Sequence, residues 1–167
     1  MRKVLLTVFA GAVVSLSGLA PPASAQGAAE ALVVTALNVT AQEMGRASTQ
    51  SVVLPGDVLE YRLTFTNVRD GEALGVVFTD PIPERTVYLI GTAQADRSDV
   101  AVEFSIDGGE SWSSSPMVYV EEGGEAVLRP APAEAYTTIR WTLTDPVAPG
   151  ARVTAAFRVT STGEGER

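Results

Sequence analysis

Between residues 58 and 67 every second side chain is apolar: Leu59, Tyr61, Leu63 and Phe65 alternate with Glu60, Arg62, Thr64 and Thr66. That two-residue period predicts a strand with one face in a core and the other in water. The same alternation recurs in Val100, Val102, Phe104 and Ile106, in Ile139, Trp141 and Leu143, and in Val153, Ala155, Phe157 and Val159. Shorter β-branched or apolar runs over 32–39, 74–78, 87–90, 117–120 and 126–128 add weaker candidates, for about nine strands in all. No long amphipathic helix interrupts them. Turn chemistry divides the chain at the same places. Pro55-Gly56-Asp57 precedes the strongest strand and Asp145-Pro146-Val147-Ala148-Pro149-Gly150 separates the last two, while Asp80-Pro81-Ile82-Pro83 ends another by withholding ladder N–H donors. Short strands with regular turn punctuation predict an all-β fold, an antiparallel β-sandwich of about seven to nine strands, immunoglobulin-like in size and pattern.

The first 25 residues follow a different pattern. Met1-Arg2-Lys3 is charged, residues 4–20 are largely apolar, and Pro21-Pro22-Ala23-Ser24-Ala25 supplies an A-x-A exit, which together read as a signal peptide cleaved after Ala25. The rival reading is an uncleaved anchor. It is disfavoured because the apolar run is short for a bilayer, is diluted by Thr7, Gly11, Ser15, Ser17 and Gly18, and ends in prolines. The expected organisation is a signal peptide (1–25), a flexible mature N-terminus (26–30), the sandwich (31–160) and a flexible tail (161–167). Cleavage leaves 142 of the 167 residues, enough for one domain to bury a core unaided. The expected location is beyond the cytoplasmic membrane: periplasmic, cell-surface or extracellular, with no stable membrane insertion after cleavage.

The residues around the strongest strand carry a family resemblance. The run Val53-Leu54-Pro55-Gly56-Asp57-Val58-Leu59-Glu60-Tyr61-Arg62-Leu63-Thr64-Phe65-Thr66-Asn67, then Thr79-Asp80-Pro81-Ile82-Pro83 and later Val147-Ala148-Pro149-Gly150, resembles the bacterial cell-surface repeat called domain of unknown function 11. The likeness spans roughly 50–160. It implies an immunoglobulin-like extracellular module of the kind repeated in large envelope or adhesion proteins. This chain departs from the pattern in carrying one copy, no wall anchor and no lysine in its first strand.

Composition narrows the chemistry. The chain has no Cys and no His, and its one lysine, Lys3, lies in the leader. Thiol chemistry, a lipid-modified cysteine, the usual zinc and copper sites, serine–histidine triads and imidazole acid–base catalysis are therefore out of reach. Schiff-base chemistry and Lys–Asn isopeptide crosslinks go with them once the leader is removed. The net charge is −8, and losing Arg2 and Lys3 takes it to −10, which repels phosphate backbones and anionic lipids and leaves nucleic acid an unexpected partner.

Several motifs remain. Ser105-Ile106-Asp107-Gly108-Gly109-Glu110-Ser111-Trp112 looks like the Asp-box of sialidases and other secreted β proteins. Its mechanics are structural, with Asp107 accepting bonds from the following backbone, the glycines taking positive φ and Trp112 covering the turn. A single box cannot make a propeller, so no sialidase is expected. Carboxylate pairs such as Asp80 with Glu84, or Glu103 with Glu110, have glycosidase-like residue types, but no spacing selects one. Asp70-Gly71-Glu72, Asp96-Arg97-Ser98-Asp99 and Glu121-Glu122-Gly123-Gly124-Glu125 offer oxygen ligands for calcium without matching a known calcium loop. Tyr88, Trp112, Tyr119 and Tyr136 are candidates for a sugar-binding platform, whereas Trp141 and Tyr61 belong to core rows. Asn38-Val39-Thr40 fits an N-glycosylation sequon, silent in a bacterium, and marks the end of the first strand.

The expected function is that of a non-enzymatic, exported structural or protein-interaction module with no cofactor, metal site or catalytic residue. Its partner is expected to be another envelope or extracellular protein, and its oligomeric state is open. The alternatives are a carbohydrate-binding module, which needs aromatics coplanar on an exposed face, and calcium-dependent adhesion, which needs converging loop carboxylates. The interaction reading predicts an exposed strand edge or an apolar patch on an otherwise acidic surface.

Overall fold

The alternating runs become strands whose apolar faces meet between two sheets. A computed structural model of the chain describes residues 5–7, 31–46 and 53–162. Most of the expected signal peptide, the mature N-terminus over 26–30 and the tail beyond Thr162 lie outside them.

Eleven strands are assigned: β1 (Leu5–Thr7), β2 (Leu32–Asn38), β3 (Val58–Thr66), β4 (Val77–Pro81), β5 (Thr86–Tyr88), β6 (Gln94–Ala95), β7 (Val100–Ser105), β8 (Met117–Glu122), β9 (Glu125–Pro130), β10 (Thr138–Leu143) and β11 (Arg152–Ser161). One sheet runs β1-β4-β10-β7, the other β2-β3-β11-β5 with β6 also on β11, and β8-β9 forms a separate hairpin. Apart from the parallel β1–β4 pair, every ladder is antiparallel. The fold is an all-β sandwich, as the pattern predicts.

Facing strands are identified by ring contacts. Phe65 of β3 meets Phe78 of β4 at 5.7 Å, Phe157 of β11 meets Trp141 of β10 at 6.0 Å, and Tyr88 of β5 meets Phe104 of β7 at 5.5 Å. Leu63, Ile139, Trp141, Val153, Ala155, Phe157 and Val159 are fully buried in that layer. Lettering β2, β3, β4, β5/β6, β7, β10 and β11 as A to G gives sheets A-B-G-D and C-F-E. The constant immunoglobulin arrangement is A-B-E-D and C-F-G, so the fifth and seventh strands have exchanged sheets.

Local chemistry moves several boundaries. The run over 74–78 is strand only from Val77; before it Gly75 holds a φ of 60° and Leu74 is exposed. Residues 39–43 form a short helix, α1 (Val39–Glu43), rather than extending β2; the Asn38 side chain accepts from Ala41 N at 2.8 Å and caps it. Ser161 is no part of a loose tail. It closes β11 opposite Thr86, and its N–H donates to Asp57 O at 2.9 Å.

Glu60, expected in water, is buried on the outer face of β3. Arg158, its cross-strand partner, donates to Oε2 at 3.0 and 2.9 Å, and Arg62 donates to Oε1 at 2.8 Å. Burial pushes this carboxyl up, but the bonds from the two guanidinium groups outweigh it and hold it below the ordinary glutamate range. The Pro55-Gly56-Asp57 turn is similarly knotted. Asp57 accepts from Asn38, Arg46 and Leu54 N, Gly56 N–H donates to Ser161 O, and α1, the start of β3 and the end of β11 are thereby tied together.

Phe157 touches both sheets through Tyr61 and Trp141. Phe157→Ala is expected to cost about 3–5 kcal/mol in urea unfolding, seen as a lower midpoint at unchanged slope.

Candidate functional site

The Asp-box is assembled as a turn joining β7 to Ser113. Asp107 accepts from Ser105 Oγ at 2.6 Å and from the backbone N–H groups of Glu110 and Ser111 at 3.0 and 2.9 Å, and the Ser111 hydroxyl donates to its second oxygen. The bonds from Ser105 and Ser111 hold the Asp107 carboxyl well below the usual aspartate range. Gly108 and Gly109 take φ of 76° and 99°, and Gly109 lies against the Trp112 ring. Arg140, bonded to Glu103, stacks 4.2 Å from the Trp112 centroid. The Ser105, Asp107 and Ser111 side chains are committed to holding the loop, in keeping with the structural reading of the box.

The candidate carboxylate pairs are separated by environment. Asp80 points from β4 into the core at 4% exposure, whereas Glu84 is exposed in the turn that follows. Glu103 is held by Arg140, and Glu110 is exposed at the Asp-box tip. Asp80 is nevertheless unusual. Its Oδ2 and the Trp141 Nε1, on neighbouring core strands, have no hydrogen-bond partner among the described residues. Burial pushes the Asp80 carboxyl up to about 6.

Calcium ligands do not converge. Among the described residues no three Asp, Glu, His or Cys side chains are grouped to hold a metal ion. Asp99 is bridged by Arg97 at 2.6 Å, Asp96 accepts from Thr154 N, and Glu122 is bridged by Arg129 at 2.8 Å.

The aromatic candidates are likewise dispersed. Tyr88 is buried and Tyr136 packs on it and on Phe104 at 5.3 Å each, so both belong to the core. Trp112 is engaged by its own turn and by Arg140. Tyr119 alone stands out in water, at 75% exposure.

Tyr119 belongs to the feature that sequence reasoning did not single out, the β8–β9 hairpin. Cross-strand register puts Met117 beside Pro130 and Tyr119 beside Leu128 on one face. Met117 and Leu128 are 42% and 48% exposed there. The tip carries Glu121, Glu122 and Glu125 around Gly123 and Gly124. A bond from Ala131 N to Pro116 O closes the base at 2.9 Å, and the arm's extensive packing is with itself. An isolated two-stranded hairpin that turns apolar side chains to water gains little from folding alone. The alternation over 117–120 was legible, but which face would find a core was not.

No family model matches the chain, and no curated protein or solved structure matches it significantly.

Two outcomes follow from this geometry. A carboxyl whose folded pKa is raised above its unfolded value near 3.9 favours the protonated native state, so its contribution is largest below about pH 4 and is lost as pH rises through about 6. The stability of the native protein minus that of Asp80→Asn should therefore fall by about 3 kcal/mol between pH 4 and 8, measured by urea unfolding. A flat difference would contradict the buried environment. Secondly, thermal unfolding in calcium and in EDTA should give the same midpoint, since a ligand of the folded state would raise it.

Proposed function

We propose that this chain is an exported, non-enzymatic interaction module of the cell envelope or extracellular space, engaging another protein through the β8–β9 hairpin. The observation that carries the reading is the exposed Met117–Tyr119–Leu128 face standing beside a glutamate-rich tip. An apolar patch on an otherwise acidic surface is the mark of a protein-binding site, and its burial would stabilise a complex while leaving the core untouched. Export is supported by the charged, apolar and A-x-A segments of the first 25 residues. Among the described residues no helix is long and apolar enough to cross a membrane. The family resemblance points the same way: its Pro55-Gly56-Asp57 turn, β3 core row and Asp80-Pro81 strand end occupy structural positions, and an envelope module is what that family implies.

The tip's charge defines the partner further. Glu121 and Glu125 sit beside the Glu122–Arg129 bridge, so a receiving groove would be apolar at its floor and basic at its rim. Tyr119→Ser combined with Leu128→Ser should leave the unfolding midpoint within a few degrees of wild type, because both side chains are already in water. Crosslinked capture from envelope extracts by residues 26–167 should fall at least about tenfold in that variant. Equal capture by both proteins would remove the hairpin from the interaction.

A further inference from the structure

The two sheets do not match in width. Ring contacts set β3 against β4, β11 against β10 and β5 against β7, so each of those strands has a counterpart across the core. By position, β2 at one end of its sheet lies opposite β1, and β1 is Leu5–Thr7 of the expected leader.

Three further observations converge on that end of the sandwich. Leu32, Val34 and Ala36 pair with Phe65, Leu63 and Tyr61 and so belong to the inner face of β2, yet Val34 is 38% exposed even with β1 in place. An apolar pocket opens beside β4, lined by Ala31, Phe65, Val76, Val77 and Phe78. The β4 edge itself is bonded to β10 on one side and to β1, in parallel register Leu5↔Val77 to Thr7↔Thr79, on the other. Without residues 1–25, that edge has an unpaired row of backbone donors and acceptors beside an uncovered apolar face.

We propose that the mature protein is a sandwich lacking one strand, and that the slot beside β4 and over β2 accepts an extended segment of another exported protein. The inference rests on the exported reading, since it requires the leader to leave. Main-chain bonds to β4 would supply affinity, and the pocket at Phe65, Val76 and Phe78 would select apolar side chains at alternate positions. The leader strand Leu5-Leu6-Thr7 shows the required chemistry: uncharged, with two apolar leucines and a β-branched threonine. In the expected mature chain, the segments outside the described residues lack that character. Residues 26–30 are Gln-Gly-Ala-Ala-Glu, 47–52 are Ala-Ser-Thr-Gln-Ser-Val and 163–167 are Gly-Glu-Gly-Glu-Arg, so none of these three segments of a second copy is suited to fill the slot.

The probe is a fluorescent peptide of residues 2–10 titrated into residues 26–167, read by anisotropy. Saturable binding is expected, and a peptide carrying Leu6→Pro, which cannot continue the ladder, should not bind. Val34→Glu places a charge in the slot at a site already partly in water; it should leave the free protein folded and weaken binding by about tenfold or more. No saturable binding, or equal binding by the proline peptide or by the Val34→Glu protein, would overturn the slot. So would a concentration-dependent dimer abolished by Val34→Glu, which would make the occupant a second copy. N-terminal sequencing of the exported protein that begins before residue 26 would also overturn it, with the leader as permanent occupant. Failure of the titration alongside hairpin-dependent capture would remove the slot and leave the interaction module standing; failure of both would remove both.

Discussion

The structure depends on a single apolar layer between two sheets, centred on Trp141, Phe157, Phe78 and Phe65. No cysteine is available to staple the sheets, so this burial and the ladders have to hold them. β11 is the strand on which the layer turns. Its Val153, Ala155, Phe157 and Val159 are fully buried, and it pairs with β3 on one side and with β5 and β6 on the other. Phe157 fills the space between Tyr61 and Trp141.

Asp80 sits badly in that layer by ordinary rules. A buried carboxyl without a partner on one oxygen is costly, and so is an unpartnered indole N–H one strand away. The cost for Asp80 falls when the group is protonated, which is what its raised pKa expresses. The contrast with Asp57 and Glu60 is instructive. Those two are also covered by neighbours, but they lie nearer the surface, where guanidinium groups of Arg46, Arg62 and Arg158 reach them and keep them ionised. Burial alone does not set the charge state; the partner does.

How far the sequence could be read follows from the range of each interaction. The inner rows of β3, β10 and β11 were legible because a two-residue period is local, and the Asp-box turn because the bonds of the Asp107 carboxylate and the Ser105 hydroxyl reach no more than four positions along the chain. What was illegible depends on the other strand. Glu60 looks like a water-facing residue until Arg158, nearly a hundred positions later, is placed opposite it. Residues 39–43 have β-branched members that suit a strand, yet the cap from Asn38 and the bond from Val58 N to the Thr40 hydroxyl turn them into a helix. Tyr88 and Tyr136 look like surface platforms in isolation and are core because β5 crosses β7. The hairpin face escaped notice for the converse reason: its apolar residues have the pattern of a core row but meet no second sheet.

An exposed apolar hairpin and an open strand edge are both hazards of self-association in a soluble β protein. Under the proposed reading the acidic surface manages that hazard. At a net charge of −10 every approach of one copy to another is opposed over a Debye length, while a partner with a basic rim is attracted. The charge is placed to allow this. Glu121 continues the Met117–Tyr119 row at the tip, Glu122 and Glu125 pair on the opposite face, and β2 over 32–38 carries no charge at all. Under that reading the tip charge opposes a second copy at long range and favours a basic-rimmed protein that buries Met117, Tyr119 and Leu128.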